Sequence, residues 1–318
     1  MRNFILTTYI AIISIVTLNA QQEQHFTQFM FNKLTYNPAF AGSTNAVCAT
    51  AMHRSQWVGF DGAPNAQLVS FNMPLMGGRV GTGGNLMRQS IGIDQRITMD
   101  AVYAYRFPLA KGNLGIGLQG SIRYRGINFN DSRLVSTTPL GQDNAIEQGF
   151  QTKFLPNFGI GAYYNTENFY IGASVPRLIK NNLGFGESVT SLNREAIHAY
   201  FMGGFVYAIN PNLKLQPQTL IKVASNSPVN GEANLSLIYM DKYTGGITYR
   251  GGGSSKLGFG ESIDFLVAIQ ASDKLMLGFS YDYTLSEIRT SNSGSFEVAL
   301  RYCFKKAEGE QFINPRFF

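Results

Sequence analysis

The chain has 318 residues, of which 44% are apolar and only 14% charged, with a formal net charge of +6. An ordinary soluble domain carries about 25% charged residues, yet beyond the first twenty residues the chain holds no apolar run long enough for a spanning helix. The pI of 9.2 is basic, but Lys and Arg are dispersed rather than clustered, which argues against a nucleic-acid partner.

Residues 1–20 read as an export signal. Arg2 supplies the positive start, Phe4 to Leu18 a mostly apolar stretch that is too short and too polar to span, and Ala20 a small residue at the cleavage point. Residues 21–45 follow without alternation; they are rich in Phe, Asn and Gln and read as an irregular segment that plugs a lumen or meets a partner. Aromatic-rich segments are atypical of disorder.

From residue 46 to 305 the pattern changes to a period of two, the repeat of a strand with one face in oil and the other in water. Fourteen strands are expected, at 46–57, 64–74, 79–91, 96–108, 112–126, 151–165, 168–176, 196–210, 212–225, 230–241, 242–251, 260–272, 273–284 and 294–305. Ile97, Met99, Ala101, Tyr103, Tyr105 and Phe107 fall on one face, with Arg96, Thr98, Asp100, Ala104 and Arg106 on the other. The run Leu275, Leu277, Phe279, Tyr281, Tyr283, Leu285 repeats the pattern near the end.

The connections alternate too. Even-numbered ones are tight, as at Asn210–Pro211–Asn212 and Ser272–Asp273, while long ones such as 127–150 and 177–195 are odd-numbered. Outer-membrane barrels have short periplasmic turns and long external loops. The expectation is therefore an all-β transmembrane antiparallel barrel of about fourteen strands in the outer membrane, with both termini periplasmic. Tyr103, Tyr105 and Phe107 at one end, and Tyr281 and Tyr283 at the other, suit interfacial girdles, although Tyr and Phe are also simply good strand formers.

The inward face is expected to hold Arg54, Arg96, Arg106, Arg123, Arg125, Lys214, Lys222, Arg250 and Arg301 against Asp100, Asp264, Asp282 and Glu297. A solvated lumen with internal ion pairs accounts for this more simply than an anionic guest does. His25, His53 and His198 are far apart and lack ligand spacing, and Gly81–Thr82–Gly83–Gly84 fits no phosphate-binding loop; it marks a bulge or a close backbone approach. No cofactor, no metal site and no enzymatic set is read from the chain. Cys48 and Cys303 lie near the ends of the first and last strands, which closure makes neighbours; they bond across the seam unless barrel stagger separates them.

Certain motifs then carry a resemblance. The stretch QHFTQFMFNKLTYNPAFAGS (from Gln24), Arg54–Ser55–Gln56–Trp57, GFSYDYTLSEI from Gly278, SGSFEVALRYCF and the ending Asn314–Pro315–Arg316–Phe317–Phe318 occur in order. Together they resemble the PorP/SprF family of type IX secretion membrane proteins, most specifically in Asn-Pro-Ala-aromatic-Ala-Gly. Phe296 stands where the family often has His, and Asn314 where Cys is frequent, which bears on subgroup and partner.

The resemblance implies a non-catalytic outer-membrane barrel of the secretion or gliding apparatus. It implies contact with lipid, and with a secreted client such as the C-terminal domain of a large adhesin, or with periplasmic secretion components; a passive porin is the alternative. Candidate plug or partner residues are Phe29, Phe31, Tyr36, Asn37, Pro38, Phe40, Gly42, Arg54, Gln56, Trp57, Asp282, Glu297 and Arg301, with Pro315, Arg316 and Phe317 in the tail at 306–318.

Overall fold

The computed structural model describes residues 25–44, 46–134, 149–185, 194–225, 227–252 and 260–304. Residues 1–20 and 306–318, with their expected signal and tail, lie outside them. Antiparallel strands pair in chain order: β1 (Val47–Ser55), β2 (Asn65–Leu75), β3 (Val80–Ile91), β4 (Asp94–Leu109), β5 (Gly112–Asn128), β6 (Phe150–Asn165) and β7 (Phe169–Val175). β8 comes in two pieces, His198–Phe205 and Tyr207–Asn210, which both pair with the next strand and count as one. Then come β9 (Leu213–Ala224), β10 (Asn230–Tyr239), β11 (Tyr243–Gly251), β12 (Ser262–Gln270), β13 (Leu275–Thr284) and β14 (Ser295–Phe304). β14 pairs back onto β1, from Val47↔Phe304 to Ser55↔Phe296, and closes a fourteen-strand barrel.

Alternation explains the wall. On β4 and β5, Met99, Tyr103, Tyr105, Ile116, Leu118 and Ile122 are exposed, while Thr98, Asp100, Arg106, Gln119, Ser121 and Arg123 are buried inside. Outward Val69, Leu118, Phe158 and Val267 are 53–63% exposed. A continuous apolar outer band around a polar interior inverts the soluble pattern and requires lipid outside. That inversion excludes a β-sandwich. Exposed aromatics ring both ends: Tyr105, Phe169, Tyr207, Tyr239 and Tyr243 at one, Tyr124, Phe154, Tyr249 and Tyr283 at the other.

The connections separate two mouths. Those at 76–79, 110–111, 166–168, 211–212, 240–242 and 271–274 form a turn mouth, where Val47 begins β1 and Phe304 ends β14. At 240–241, Met240 and Asp241 both take positive φ (51° and 52°), the geometry of a tight hairpin whose twist matches its strands. The opposite mouth carries the longer connections, including 176–197, whose Ile179 and Glu195 reach inward-facing Asn157 of β6 and, for Glu195, Arg123 of β5.

Candidate functional site: the luminal segment and its two clasps

Residues 26–44 lie inside the barrel. The segment lacks the periodicity of a strand or long helix and folds as three short 3-10 turns, Phe29–Phe31, Lys33–Thr35 and Pro38–Phe40. Phe26, Phe29, Leu34, Tyr36, Ala39 and Phe40 are buried. Most pack against wall residues Tyr163, Tyr170, Tyr200, Met202, Leu220 and Leu266. Rings meet edge to face at 5.4 Å in Tyr36–Tyr200 and Phe40–Tyr163, and the Lys33 Nζ stands 4.1 Å over the Tyr170 ring.

Near the loop mouth, the segment is held by charge. The Thr27 hydroxyl donates to the Asp282 carboxylate (2.8 and 2.9 Å to its two oxygens) and accepts from Arg54 Nη1 and Arg250 Nη2, each at 3.0 Å. Glu297 takes the two following amides, Thr27 N on Oε2 at 3.0 Å and Gln28 N on Oε1 at 2.8 Å. Arg54 bridges Asp282 (2.5 Å) and Glu297 (3.2 Å), while Arg250 bridges Glu232 and Asp264, both at 3.2 Å. His25 Nδ1 lies 2.9 Å from Glu232. Charges so deeply buried are tolerable only when paired and hydrogen-bonded. Here the partners come from β1, β10, β11, β12, β13, β14 and the segment itself.

Toward the turn mouth the segment is held by shape. Asn37 caps the third turn, its Oδ1 accepting from Ala39 N at 2.9 Å, and Pro38 occupies the first position, where its fixed φ fits and no N–H is needed. The Asn37 Nδ2 donates to the wall carbonyl of Ala162 at 2.9 Å. The segment's backbone then lies directly on the wall's. A Cβ on Gly117 would strike the Ala39 backbone, one on Gly161 the Asn37 Oδ1, and one on Gly81 the Ala41 carbonyl. Gly42 (φ +70°) faces Gly81 in turn, and a Cβ there would come within 2.5 Å of the Gly81 Cα. Asn72 Oδ1 accepts from Gly42 N at 2.7 Å, and Arg106 donates to the Gly42 carbonyl. In Asn-Pro-Ala-Phe-Ala-Gly, the residues thus serve in turn as cap, helix start, small contact, aromatic anchor, small contact and left-handed turn.

Phe29, Phe31, Tyr36, Asn37, Pro38, Phe40, Gly42, Arg54, Asp282 and Glu297 therefore belong to one connected site. Arg301 does not join the charged clasp. It points to the turn side, 3.9 Å from Cys48 Sγ, and borders a cavity of about 40 Å³ with Met30 and Phe31, room for no more than a few waters. Gln56 and Trp57 stand outside the lumen. β1 ends at Ser55, two residues short of the expected boundary, because Gln56 N and Trp57 N turn to Pro64 O and Ser295 Oγ, with Trp57 at φ 50°. Pro315, Arg316 and Phe317 lie outside the described residues.

Thr27, Gln28, Glu232 and the seats at Gly117 and Gly161 went unread in the sequence, whereas Gly81 was expected at a bulge or close backbone approach and makes one against Ala41. Arg250 and Asp264 were expected only as inward charges, which they are. The excess of inward cations is largely matched: besides Arg54 and Arg250, Arg123 pairs with Glu195, Arg96 and Arg125 with Asp94, and Lys214 with Asp241. Cys48 and Cys303 are direct register partners, with Cα atoms 4.1 Å apart and sulfurs bonded.

His25 sits at the loop mouth, against Glu232 and Lys222, whereas Phe304 ends at the turn mouth beside Val47. The two ends of the described chain do not share a mouth, because the segment crosses the lumen before β1 begins.

Several solved structures share the barrel shape. The CymD monoaromatic hydrocarbon channel is 10% identical, with 89% of this chain and 94% of that one covered at a TM-score of 0.52. The outer membrane protein Omp33 of Acinetobacter baumannii is 9% identical, with 81% and 99% covered at 0.45. At such identity the likeness concerns fold alone. No curated protein matches the sequence. The family described as type IX secretion system membrane protein PorP/SprF matches residues 18–302. With nearly the whole barrel and its luminal segment inside that match, the chain belongs to the PorP/SprF family of type IX secretion system membrane proteins.

Proposed function

We propose that this barrel is a plugged, non-catalytic scaffold of the outer membrane that docks a secreted client of the type IX system. The client envisaged is the C-terminal domain of a large surface adhesin, with periplasmic secretion components as further contacts. One observation carries the reading: the lumen is occupied by the chain's own residues 26–44, fixed at both ends, where a solute channel needs an open path. The family match supplies the secretion context.

The surfaces left for a partner are the mouths. At the loop mouth these include Gln56 and Trp57, and at the turn mouth Arg301, followed by the tail with Pro315, Arg316 and Phe317. The segment residues themselves serve to hold the plug.

Removing the chain from its cells, together with any paralogue, is expected to abolish surface display of one large client, and restoring it to recover display. Normal secretion and display in the deleted strain would contradict the proposal. A passive channel remains the competing function, and it predicts normal display with reduced solute uptake.

A further inference from the structure

We infer that the amino end of the mature chain is presented at the loop mouth, on the cell surface, so that the luminal segment runs through the barrel from outside to inside before β1 begins. The inference rests on the outer-membrane placement above and on removal of residues 1–20 as an export signal.

The position of His25 starts the argument. Its ring contacts Glu232, third residue of β10, and Lys222, third from the end of β9; both flank the connection at 225–229, on the loop side. Two residues on, Thr27 is gripped by Asp282, Arg54 and Arg250, all within three residues of the loop-side ends of their strands. From there the chain descends. Phe29 to Phe40 fill the middle, Gly42 rests on Gly81 at the turn-side end of β3, and Ala46 leads into β1 at the turn mouth.

Only four residues separate His25 from Gln21. Fully extended, they reach about 14 Å. A return to the turn mouth would have to cross the whole packed lumen, past Phe29, Leu34 and Tyr36, each no more than 5% exposed. The loop side is the external side because long connections are external and tight turns periplasmic in such barrels.

Arg54 on β1 and Asp282 and Glu297 on β13 and β14 hold Thr27 and Gln28 from both sides of the β1–β14 seam, which the Cys48–Cys303 bond also crosses.

The test uses the full chain in cells, with one epitope inserted between Gln22 and Glu23, another at Asp61 in the β1–β2 connection, and a third appended after Phe318. Antibody binding is compared on intact and on permeabilised cells. The first two tags are expected to be read on intact cells at comparable levels, and the third only after permeabilisation. If the amino-terminal tag needs permeabilisation while the Asp61 tag does not, the threading direction is wrong. If the Asp61 tag also needs permeabilisation, the surface assignment is wrong whatever the function. Loss of client display is scored separately, so failure of the docking proposal is distinguishable. Where the insertion prevents folding, judged by lost heat-modifiable migration, Glu23→Cys with a membrane-impermeant maleimide replaces it; labelling on intact cells supports the direction, and labelling only after permeabilisation overturns it. The native cysteines are bonded and do not react.

Discussion

The two ends of the luminal segment are held by different physics. Around Thr27, three carboxylates and two guanidiniums converge on one hydroxyl and two amides, with Glu232 behind Arg250, nearly all of it sealed from solvent. Around Pro38 to Gly42 there is little charge apart from Arg106, and wall glycines let backbone lie on backbone. The charged clasp gains its strength from mutual pairing and fails badly when one member is lost. The shape clasp depends on the absence of atoms and fails when atoms are added. Between them lies an aromatic core.

Substitutions can break this comparison. The largest effect is expected for Arg54→Ala, which leaves Asp282 and Glu297 buried without their shared cation; loss of one member of a buried pair costs about 3–5 kcal/mol. A lowered midpoint in heat-modifiability, measured by the folded-to-unfolded gel shift, reads it. Next, replacing Cys48 and Cys303 together by Ser removes a covalent tie across the seam, for which a cost of roughly 2–4 kcal/mol is typical. Reductant should lower the parent's midpoint and leave the double variant unmoved. Gly117→Val adds bulk against the Ala39 backbone, at about 1–3 kcal/mol for overpacking. Gly120, on the outward face of the same strand, has open space at its Cβ position, and Gly120→Val is expected to be near neutral. Equal effects at the two glycines would dissolve the shape clasp. Comparable in size to Gly117→Val is Thr27→Val, which keeps volume while leaving Asp282, Arg54 and Arg250 one partner fewer, at about 1–3 kcal/mol. Combined with Arg54→Ala it should be strongly non-additive, since both belong to one network.

Much of the wall was legible because its signal is local. A strand's neighbours i and i+2 share a face, so alternation located all fourteen strands and placed Arg54, Asp282 and Glu297 inside. Closure then made Cys48 and Cys303 neighbours, although only the register itself shows that stagger does not separate them. The luminal segment carries no period. Thr27 matters through contacts to residues more than 220 positions away, except Arg54, and nothing in the run Gln24–His25–Phe26 announces them. The same holds for Gly117 and Gly161, whose partner is Asn37–Ala39 rather than anything near them in sequence. The direction of the segment could not be read for that reason: parity fixes which way strands run, and it is silent on a non-periodic stretch ahead of the first one. Trp57 was drawn into β1 by its adjacency to an alternating run, whereas its positive φ ends the strand.

The central claim is that residues 26–44 fill and seal the lumen as part of the fold. Single-channel recording in planar bilayers tests it most directly, comparing the intact protein with a version in which residues 26–44 are replaced by a Gly-Ser linker, both verified as folded barrels by heat-modifiability. The intact protein should show little conductance and the replaced version large, steady openings. Large, stable conductance in the intact protein, unchanged by the replacement, would contradict the account.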